Sequence, residues 1–294
     1  MRTLGLVLNP TQSRSPEVAR DIAEWLGRHG VRPMLVRAHA ALAGLERWGV
    51  EEEQLIREAE CLVALGGDGT LLAAARLALA GGKPLLGVNL GHLGFLTEVE
   101  LPDLFTGLER LLTGDYRLEE RMVLKGEVWR GEGLAASFCA LNDMVVSRGA
   151  FSRLLELRTC VEQDFVATYP ADGLIVSTPT GSTAYSLAAG GPIIVPSLEV
   201  ILLTPICPHT FYARPLVIEA ERQVRVRVET ERAEAMLTVD GQRGHPLAVG
   251  DEVRVTKAPK YLHLVKLGGR SFFEIMRQKL RLGESKGSGG LWLS

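Results

Sequence analysis

The segment of the sequence best suited to chemistry is a glycine-rich turn that carries one carboxylate. Gly66–Thr70 (GGDGT) follows an apolar run over Cys61–Leu65 and precedes an Ala/Leu-rich run that reaches Ala80. Such a turn presents backbone N–H groups at the positive end of a helix dipole, where phosphate binds, and glycines let an oxyanion approach closely. A carboxylate would repel phosphate there, so Asp68 fits a proton acceptor for an attacking hydroxyl or a ligand of a phosphate-bridging metal. A tight turn in which Asp68 caps the helix explains this segment alone about equally well.

A second segment combines hydroxyl side chains, glycines and an aromatic ring. Between Ala171 and Tyr185 the sequence has five Ser or Thr hydroxyls, at positions 177, 178, 180, 182 and 183, and two glycines. Small hydroxyl groups donate to phosphates and sugars, and Tyr185 offers a flat face to a ring. Helix caps explain one or two Ser or Thr residues at a turn but not the whole cluster, so this segment favours ligand contact.

Two adjacent polar residues interrupt an otherwise apolar run. Asn142 and Asp143 lie inside the predicted strand Phe138–Val146. Adjacent strand residues point to opposite faces, so one of the pair faces the core unless the strand bends or ends there. A buried polar group needs partners: a carboxylate suits vicinal ribose hydroxyls, and an amide suits an adenine edge. A local bulge explains the pair about as well.

The first 118 residues predict an α/β domain that would position the glycine-rich turn. Strand and helix patterns alternate, which implies a Rossmann-like parallel sheet covered by helices. Ser15 is the predicted N-cap of the first helix, and Gly30 is its predicted stop. The further predicted elements are the strands Thr3–Asn9, Pro33–Arg37, Cys61–Leu65 and Pro84–Asn89 and the helices Glu51–Glu60, Leu71–Ala80 and Pro102–Leu112.

A second domain, predicted over residues 119–267, has a different pattern that indicates mostly antiparallel β-sheet. Val239-Asp240-Gly241 predicts a hairpin-like turn in it. A final apolar pattern predicts a helix over Phe272–Leu280, in a segment (268–282) that returns to pack on the first domain. The Gly- and Ser-rich segment 283–294 is predicted to be a flexible tail. The predicted strands of the second domain are Met122–Val128, Phe138–Val146, Leu154–Val161, Leu174–Ser177, Gln223–Glu229 and Val253–Lys257.

Composition limits the classes of partner. The 294 residues suggest two domains, and 33 basic against 35 acidic residues give a net charge of −2. That balance offers no general attraction to nucleic acid or to an anionic membrane. No run of about 18 apolar residues occurs, so we expect no transmembrane helix and a cytoplasmic location. The cysteines form no CxxC pair and are expected to be buried free thiols; they are Cys61, Cys139, Cys160 and Cys207.

The three chemistry-bearing segments resemble the three motifs of NAD kinases, in the same order and at similar spacing. They are Gly66–Thr70, Asn142-Asp143 and the run from Asp172 to Pro192. GGDGT alone is shared with lipid kinases and, more loosely, with phosphofructokinases, whereas the long Thr/Ser/Gly/Tyr run is much more specific. The resemblance extends over nearly the whole chain, because further segments also resemble the family: Gly91–Thr97, Pro205–His209, Val239–Gln242 and Phe272–Leu280.

The resemblance implies a bacterial-type NAD kinase. Such an enzyme transfers a terminal phosphoryl group from ATP, or from polyphosphate, to the 2′-hydroxyl of the adenosine ribose of NAD and so makes NADP. It implies Asp68 as general base, the dinucleotide bound between the domains, and a homodimer or homotetramer. Mg²⁺ is expected to arrive mainly on the donor phosphates, so no set of protein ligands is assigned to it. The residues that it assigns to nucleotide binding are Gly66, Gly67, Gly69, Thr70, Phe95, Asn142, Asp143, Asp172, Thr183, Ala184 and Tyr185.

Two departures from the family pattern and two rival functions bear on this interpretation. Many relatives have glutamate where this chain has Asp143 and serine where it has Ala188, so the reach of Asp143 is shorter and no hydroxyl contact is expected at 188. A lipid or sugar kinase that shares only the GGDGT turn leaves the Tyr185 segment and the Asn142-Asp143 pair unexplained. A non-catalytic dinucleotide sensor gains nothing from a carboxylate beside phosphate. The other familiar phosphate loop, GxxxxGK[ST], is absent, and no GxGxxG follows the first strand, which weakens the interpretation as a simple dehydrogenase.

Overall fold

The first domain is built on a mostly parallel sheet. The computed structural model describes residues 1–149, 154–210, 213–230 and 234–280. The strands of this sheet are β1 (Thr3–Leu8), β2 (Arg32–Val36), β3 (Gly49–Val50), β4 (Cys61–Gly66), β5 (Leu85–Asn89), β6 (Val99–Glu100), β7 (Arg117–Arg121) and β20 (Leu262–Lys266). Their order is β3-β2-β1-β4-β5-β20-β7, and β6 pairs with β5. The strands pair in parallel, except that β20 and β7 are antiparallel.

Helices cover both faces of this sheet because alternate residues of its strands point to opposite sides. Leu6 of β1 packs in one core with Ile22 and Leu108, whereas the adjacent Val7 packs in the other core with Leu71. This arrangement confirms the predicted α/β domain. Short 3₁₀ turns lie at Glu46–Trp48 and Leu101–Asp103. The helices are α1 (Arg14–Arg28), α2 (Arg37–Ala43), α3 (Glu52–Glu58), α4 (Asp68–Gly81) and α5 (Leu104–Thr113).

The second domain consists of two antiparallel sheets that share one apolar core. The first contains β10 (Asp143–Arg148), β13 (Gly173–Ser177), β14 (Val200–Ile206), β15 (Leu216–Glu219), β17 (Ala235–Val239) and β18 (Arg243–Leu247). The second contains β8 (Leu124–Arg130), β9 (Gly133–Ala140), β11 (Leu155–Val161), β12 (Asp164–Ala171), β16 (Val224–Val228) and β19 (Glu252–Lys257). Their orders are β15-β14-β13-β10-β17-β18 and β12-β11-β16-β19-β8-β9. Val176 of the first sheet and Leu157 of the second lie in the same core, which confirms the predicted β-rich domain.

The end of the chain returns to the first domain. The ring of Phe272, at the start of α7 (Phe272–Leu280), lies 6.2 Å from the ring of Phe95, centroid to centroid. Strand β20 also pairs in the first sheet, although its residues fall inside the range 119–267 predicted for the second domain. The exact domain limits therefore stay a prediction, and the predicted tail 283–294 lies outside the described residues.

Three local predictions were wrong. Helix α1 begins at Arg14, with Ser13 as the N-cap residue; the buried Ser15 hydroxyl instead donates to the Leu65 carbonyl and accepts the Asn9 N–H, each at 3.1 Å. The predicted strand Phe138–Val146 is broken into β9 and β10, because the backbone N–H groups between them bind a side chain rather than a neighbouring strand. Cys139 and Cys207 are exposed rather than buried, and all four cysteines are free.

Candidate active site

The glycine-rich turn joins the last residue of β4 to the first turn of α4. Gly67 is the N-cap residue of α4, and Asp68 is its first residue. A Cβ built at Gly67 or Gly69 would meet no atom of a neighbouring element within 4 Å, whereas a Cβ at Gly66 would lie 2.1 Å from Thr70 Oγ1. The open faces of Gly67 and Gly69 therefore leave the backbone at the mouth of the helix accessible to a ligand.

The carboxylate of Asp68 is held by the loop that follows β5. Its two oxygens accept the backbone N–H groups of Phe95 (2.8 Å) and Leu96 (3.0 Å). A Cβ at Gly94 would lie 2.1 Å from Asp68 Oδ1, so the loop approaches the carboxylate only because residue 94 has no side chain. The alternative in which Asp68 caps the helix is wrong, because Gly67 is the N-cap residue. The half-buried carboxylate is instead fixed between two elements.

Two polar side-chain atoms near the turn are buried without a partner. Thr70 Oγ1 and Asn142 Oδ1 have no hydrogen-bond partner among the described residues. An unsatisfied buried polar atom costs about 1–3 kcal/mol. Thr70 can supply a donor and the Asn142 amide oxygen an acceptor, so a ligand with both kinds of group would remove this cost.

The Asn142-Asp143 pair is positioned by a residue that the sequence identified only as part of a turn. The Asp240 carboxylate accepts the backbone N–H groups of Leu141, Asn142 and Asp143, at 2.9, 2.7 and 3.1 Å. Asp240 begins the hairpin turn between β17 and β18 and has a φ of +50°. Asx residues are favoured at such turns. The Val239-Asp240-Gly241 pattern predicted that turn, but it gave no signal of the distant strand end that Asp240 binds.

Asp143 is a buried carboxyl group that titrates near neutral pH. Its side chain is 4% exposed, and burial raises its pKa to about 7, with the negative charge of Asp240 acting in the same direction. Burial also raises the pKa of Asp240, although the three backbone N–H bonds oppose that shift. A neutral Asp143 can donate a hydrogen bond, and a charged one can only accept.

The hydroxyl-rich run folds into β13, a 3₁₀ turn at Thr180–Thr183 and the short helix α6 (Tyr185–Ala188). Four of its five hydroxyl residues, all except Thr183, are buried, and their oxygens bond within the protein. Ser177 and Thr178 donate to carbonyls of residues 141, 142 and 178, and Ser182 donates to Pro179. The expectation that a structural role accounts for only one or two of these hydroxyls was therefore wrong. Thr183, Ala184 and Tyr185 remain accessible, and Tyr185 is 46% exposed.

A buried arginine that the sequence did not single out supports this run. The Arg121 side chain is 7% exposed and pairs with Glu119, and its Nη1 donates to Thr180 Oγ1 at 3.3 Å. Arg121 ends β7, so it connects the first sheet to the 3₁₀ turn that leads to Thr183. A charged residue at the end of an exposed strand gives no sequence signal of such burial.

One hairpin brings most of the predicted site residues together. The Gln242 side chain, in the β17–β18 turn, donates to the Gly69 carbonyl at 2.6 Å, while Asp240 in the same turn holds Asn142. The Thr178 N–H in turn donates to the Asn142 carbonyl at 2.9 Å. The glycine-rich turn, the Asn142-Asp143 pair and the start of the hydroxyl-rich run therefore converge on the face between the two domains.

Asp172 lies apart from this group. It precedes β13, whose other end carries Ser177 beside Asp143. The six residues from Asp172 to Thr178 span about 20 Å in extended conformation. The Asp172 carboxylate accepts a hydrogen bond from Arg148 Nε at 2.6 Å. Within one chain, the structure does not bring Asp172 to the other predicted site residues.

Phe95 is placed where α7 covers the loop that holds Asp68. Its ring contacts Phe272, and the Lys279 ammonium lies 4.9 Å from the ring centroid. Phe95 also lines a cavity of about 290 Å³ between α7 and β7. Its ring is half-buried, and its N–H binds the carboxylate of Asp68.

Two kinds of feature are missing from the described part of the chain. Across residues 1–149, 154–210, 213–230 and 234–280, no group of three or more His, Cys, Asp or Glu side chains could hold a metal ion. Within the same residues, no helix has the length and apolar character to cross a bilayer.

Fold and site together define a class of protein. A strand of the parallel sheet ends in an open glycine turn with one anchored carboxylate, and the second domain places an amide and a carboxyl group beside it. Phosphate binding at the helix mouth and a fixed proton acceptor are the components of a nucleotide-dependent phosphotransferase.

The chain belongs to the NAD kinase family and is a kinase that phosphorylates NAD. Residues 4–116 match the ATP-NAD kinase N-terminal domain, and residues 141–267 match the ATP-NAD kinase C-terminal domain. The NAD kinase of Moorella thermoacetica is 52% identical over 286 residues, which are 97% of this chain and 91% of that protein. The NAD kinase of Heliobacterium modesticaldum is 49% identical over 283 residues, which are 96% of this chain and 100% of that protein.

Solved structures agree with this assignment. The fold is similar to that of yeast NADH kinase in complex with NADH, with a TM-score of 0.87, 24% identity and coverage of 100% of this chain and 90% of that one. It is also similar to an NAD kinase from Archaeoglobus fulgidus in complex with ATP, with a TM-score of 0.73 and 25% identity. That likeness covers 96% of this chain and 99% of the archaeal one.

Proposed function

We propose that this chain transfers the terminal phosphoryl group of ATP to the 2′-hydroxyl of the adenosine ribose of NAD, which gives NADP and ADP. The observation that carries this proposal is the placement of Asp68. Its carboxylate is anchored at the mouth of α4, between two glycines with open faces, and on the side of the turn that meets the second domain. Relatives named NAD kinase support NAD as the acceptor, and the match to the ATP-NAD kinase domains supports ATP as the donor.

Asp68 is the proposed general base. Each of its oxygens accepts one backbone N–H, and a carboxylate has about four acceptor positions, so an acceptor position remains for the ribose hydroxyl. The hydroxyl proton passes to Asp68 as its oxygen attacks the terminal phosphorus in line. The bond from that phosphorus to the bridging oxygen breaks, and ADP leaves with the electron pair. The two backbone bonds hold the carboxylate in one position throughout.

The donor phosphates are proposed to bind at the start of α4. The helix dipole favours anions there, and Gly66, Gly67 and Gly69 offer backbone N–H groups that a phosphate oxygen can reach. Thr70 Oγ1, which has no partner in the described chain, would donate to the same phosphates. These groups would offset the negative charge that accumulates on the transferred phosphoryl group.

NAD is proposed to bind between the domains. The unpartnered Asn142 Oδ1 would accept from an adenine edge, and Asp143 would accept from ribose hydroxyls in its charged form. The accessible Thr183, Ala184 and Tyr185 line the path of the dinucleotide, and the half-buried Phe95 ring is the proposed aromatic wall for adenosine.

Mg²⁺ is proposed to arrive on the donor phosphates rather than on the protein. The described residues provide no cluster of three metal ligands, and both oxygens of Asp68 already accept backbone N–H groups. The ion would screen phosphate charge, as it does in phosphoryl transfer generally. The protein residues therefore act on the ribose hydroxyl and on the phosphates directly.

A homodimer or homotetramer is proposed as the active form, in the cytoplasm. Asp172 lies about 20 Å from the Asn142-Asp143 pair along β13, so a dinucleotide contact from this residue would require a second copy of the chain. The oligomer follows from the family resemblance and the location from the sequence composition, and both stay predictions.

The test is an NADP-formation assay with purified protein, NAD and either ATP or polyphosphate, with and without Mg²⁺. An NADP-specific dehydrogenase detects the product from NAD, and ADP release with the 2′-deoxy and 3′-deoxy adenosine analogues of NAD reports the position of transfer. We expect Mg²⁺-dependent product with NAD and the 3′-deoxy analogue and none with the 2′-deoxy analogue. Absence of NADP with every donor, or equal turnover of both analogues, would overturn the proposal.

A further inference from the structure

A second cavity lies beside the proposed active site, where the chain passes between the two domains. Its volume is about 420 Å³. Its inner wall includes Val123 and Ala258, which lie on the two connecting segments and are joined by a hydrogen bond of 2.8 Å from the Ala258 N–H to the Val123 carbonyl. One side is formed by the second half of α4 and the other by β9 and the β17–β18 turn.

Positive charge is concentrated around this cavity. Its lining contains four cationic side chains and one acidic side chain, Asp240, which binds three backbone N–H groups. Two of the cations have acidic partners, because Arg76 binds Glu52 at 2.7 Å and Lys125 binds Glu127 at 2.5 Å. The other two, Arg243 and Lys260, make no ion pair within 4 Å anywhere in the described chain.

The rest of the lining is apolar and includes one aromatic ring. Leu79, Val239 and Ala258 form apolar walls, and the half-buried Phe138 adds a ring. The Arg243 guanidinium lies 5.5 Å from the centroid of that ring. Unpaired cations next to an apolar wall suit a ligand that has both an anionic group and a flat ring.

The cavity shares the β17–β18 turn with the proposed active site. Gln242 lines the cavity and also donates to the Gly69 carbonyl, while Asp240 lines it and also holds the Asn142-Asp143 pair. The wall of the cavity formed by α4 is separate from the proposed active site, because Arg76 lies eight residues beyond Asp68 on α4, or about 12 Å along the helix axis. A ligand in the cavity would therefore contact the turn that positions the active-site groups.

We propose that this cavity binds a nucleotide, with the phosphate next to its ribose on Arg243 and Lys260 and its base between the apolar wall and Phe138; the terminal phosphates of a donor nucleotide would then extend to the start of α4. The binding site does not depend on the proposed role of Asp68. Two sources of nucleotide have the required chemistry: the phosphoryl donor, with its base in this cavity during turnover, or a separate nucleotide that acts as an effector.

Cys139 allows the cavity to be tested without an activity assay. This exposed thiol lines the cavity, and in a Cys160→Ser/Cys207→Ser background it is the accessible cysteine, since Cys61 is buried. The rate at which a maleimide labels Cys139 is measured with ATP, AMP, adenosine or inorganic phosphate. We expect ATP and AMP to slow labelling several-fold, and adenosine or phosphate alone to have little effect.

The Arg243→Ala/Lys260→Ala variant tests the assigned cations. Both side chains are exposed, so the variant is expected to keep the wild-type Tm. It should lose the protection of Cys139, whereas Arg222→Ala, an exposed arginine outside the cavity, should retain it. Protection that survives in the double variant, or no protection by ATP or AMP at millimolar concentration, would overturn the proposal.

Kinetics of the same variant distinguish the two sources. If the donor occupies the cavity, KM for ATP rises about tenfold or more while KM for NAD is unchanged, because two charge-assisted contacts are lost. If an effector occupies it, KM for ATP is unchanged, and AMP alters NAD turnover in the wild type but not in the variant. A failure of the active-site proposal would appear instead as absent NADP formation, with protection of Cys139 intact.

Discussion

A single missing side chain determines where the carboxylate of Asp68 lies. A Cβ at Gly94 would come within 2.1 Å of Asp68 Oδ1 and 2.9 Å of Thr97 Oγ1. The Gly94→Ala variant should therefore displace either the carboxylate or the loop, and we expect kcat for NADP formation to fall on the order of 10²-fold. Steady-state kinetics with NAD and ATP measure the effect.

The matched control is Gly91→Ala, three residues earlier in the same loop. A Cβ there would lie 3.6 Å from Gln12 Nε2, which is ordinary contact. This variant should retain nearly full activity. Wild-type kcat in Gly94→Ala would show that the contact between the loop and Asp68 is unimportant for turnover.

Asp143 should make stability depend on pH in an unusual direction. Because burial raises its pKa from 3.8 to about 7, its contribution to stability is present at low pH and is lost as pH rises from about 4 through about 7. The Asp143→Asn variant escapes this loss. We expect the Tm difference, variant minus wild type, to increase between pH 5 and pH 8 in thermal melts without nucleotide.

Asp251 provides a control with the opposite sign. Arg130 lowers the pKa of this carboxyl group, with bonds of 2.9 and 2.7 Å, so its stabilising effect is present at neutral pH and is lost on acidification. Asp251→Asn should lower Tm more at pH 7 than at pH 3, because the effect is lost only below the unfolded pKa of 3.8. If the Tm difference between Asp143→Asn and wild type does not change from pH 5 to pH 8, the Asp143 carboxyl group does not titrate near neutral pH.

At the scale of elements, the contact between β7 and the Thr180–Thr183 turn should control NAD binding. Arg121→Met removes the buried guanidinium that donates to Thr180 and pairs with Glu119. We expect KM for NAD to rise about tenfold, together with a lower Tm, since a charge-assisted contact and its buried pair are lost. Kinetics and thermal melts measure the two effects.

Two further variants distinguish the effect of Arg121 on the Thr180–Thr183 turn from its effect on the stability of the protein. Thr180→Val keeps the ion pair and removes only the hydroxyl acceptor, so it should raise KM for NAD with a smaller fall in Tm than Arg121→Met causes. Arg117→Met, at an exposed position of the same strand, should change neither. An unchanged KM in Arg121→Met would mean that Arg121 does not position the turn.

Elements with a strong local pattern could be predicted from sequence, and those defined by distant partners could not. The apolar run Cys61–Leu65 and the Ala/Leu-rich run after it predicted β4 and α4 to within a few residues. The break between β9 and β10 was missed because its cause, Asp240, lies about a hundred residues later in the chain. Hydroxyl content likewise could not reveal that Ser177 and Thr178 bind carbonyls of residues 141 and 142.

For the whole molecule, order along the sequence predicted two domains but not how the chain returns between them. Strand β20 pairs with both β5 and β7, and a strand of only five residues carries no mark of the sheet that it will join. Side-chain chemistry alone predicted three site segments, those of Asp68, Asn142 and Tyr185. The β17–β18 turn brings the first two together. The isolated position of Asp172 had no signal in the sequence.

The distance of Asp172 leads to a prediction about assembly. If the site takes Asp68 from one copy and Asp172 from another, Asp68→Asn and Asp172→Ala should each have low activity. Mixed dimers, made by co-expression and purified on two affinity tags, should then recover about half of wild-type activity, since each contains one intact site of two. No recovery on mixing, or full activity of Asp172→Ala alone, would contradict a shared site.

The most direct test of Asp68 as the base compares turnover and NAD binding in Asp68→Asn, with the exposed Asp21→Asn as control. Removal of a general base should lower kcat on the order of 10²–10⁴-fold, while the Kd for NAD, measured by calorimetry on the same sample, stays near the wild-type value. The control should match wild type in both. Wild-type kcat in Asp68→Asn, or a loss of NAD binding large enough to account for the lost turnover, would contradict this role.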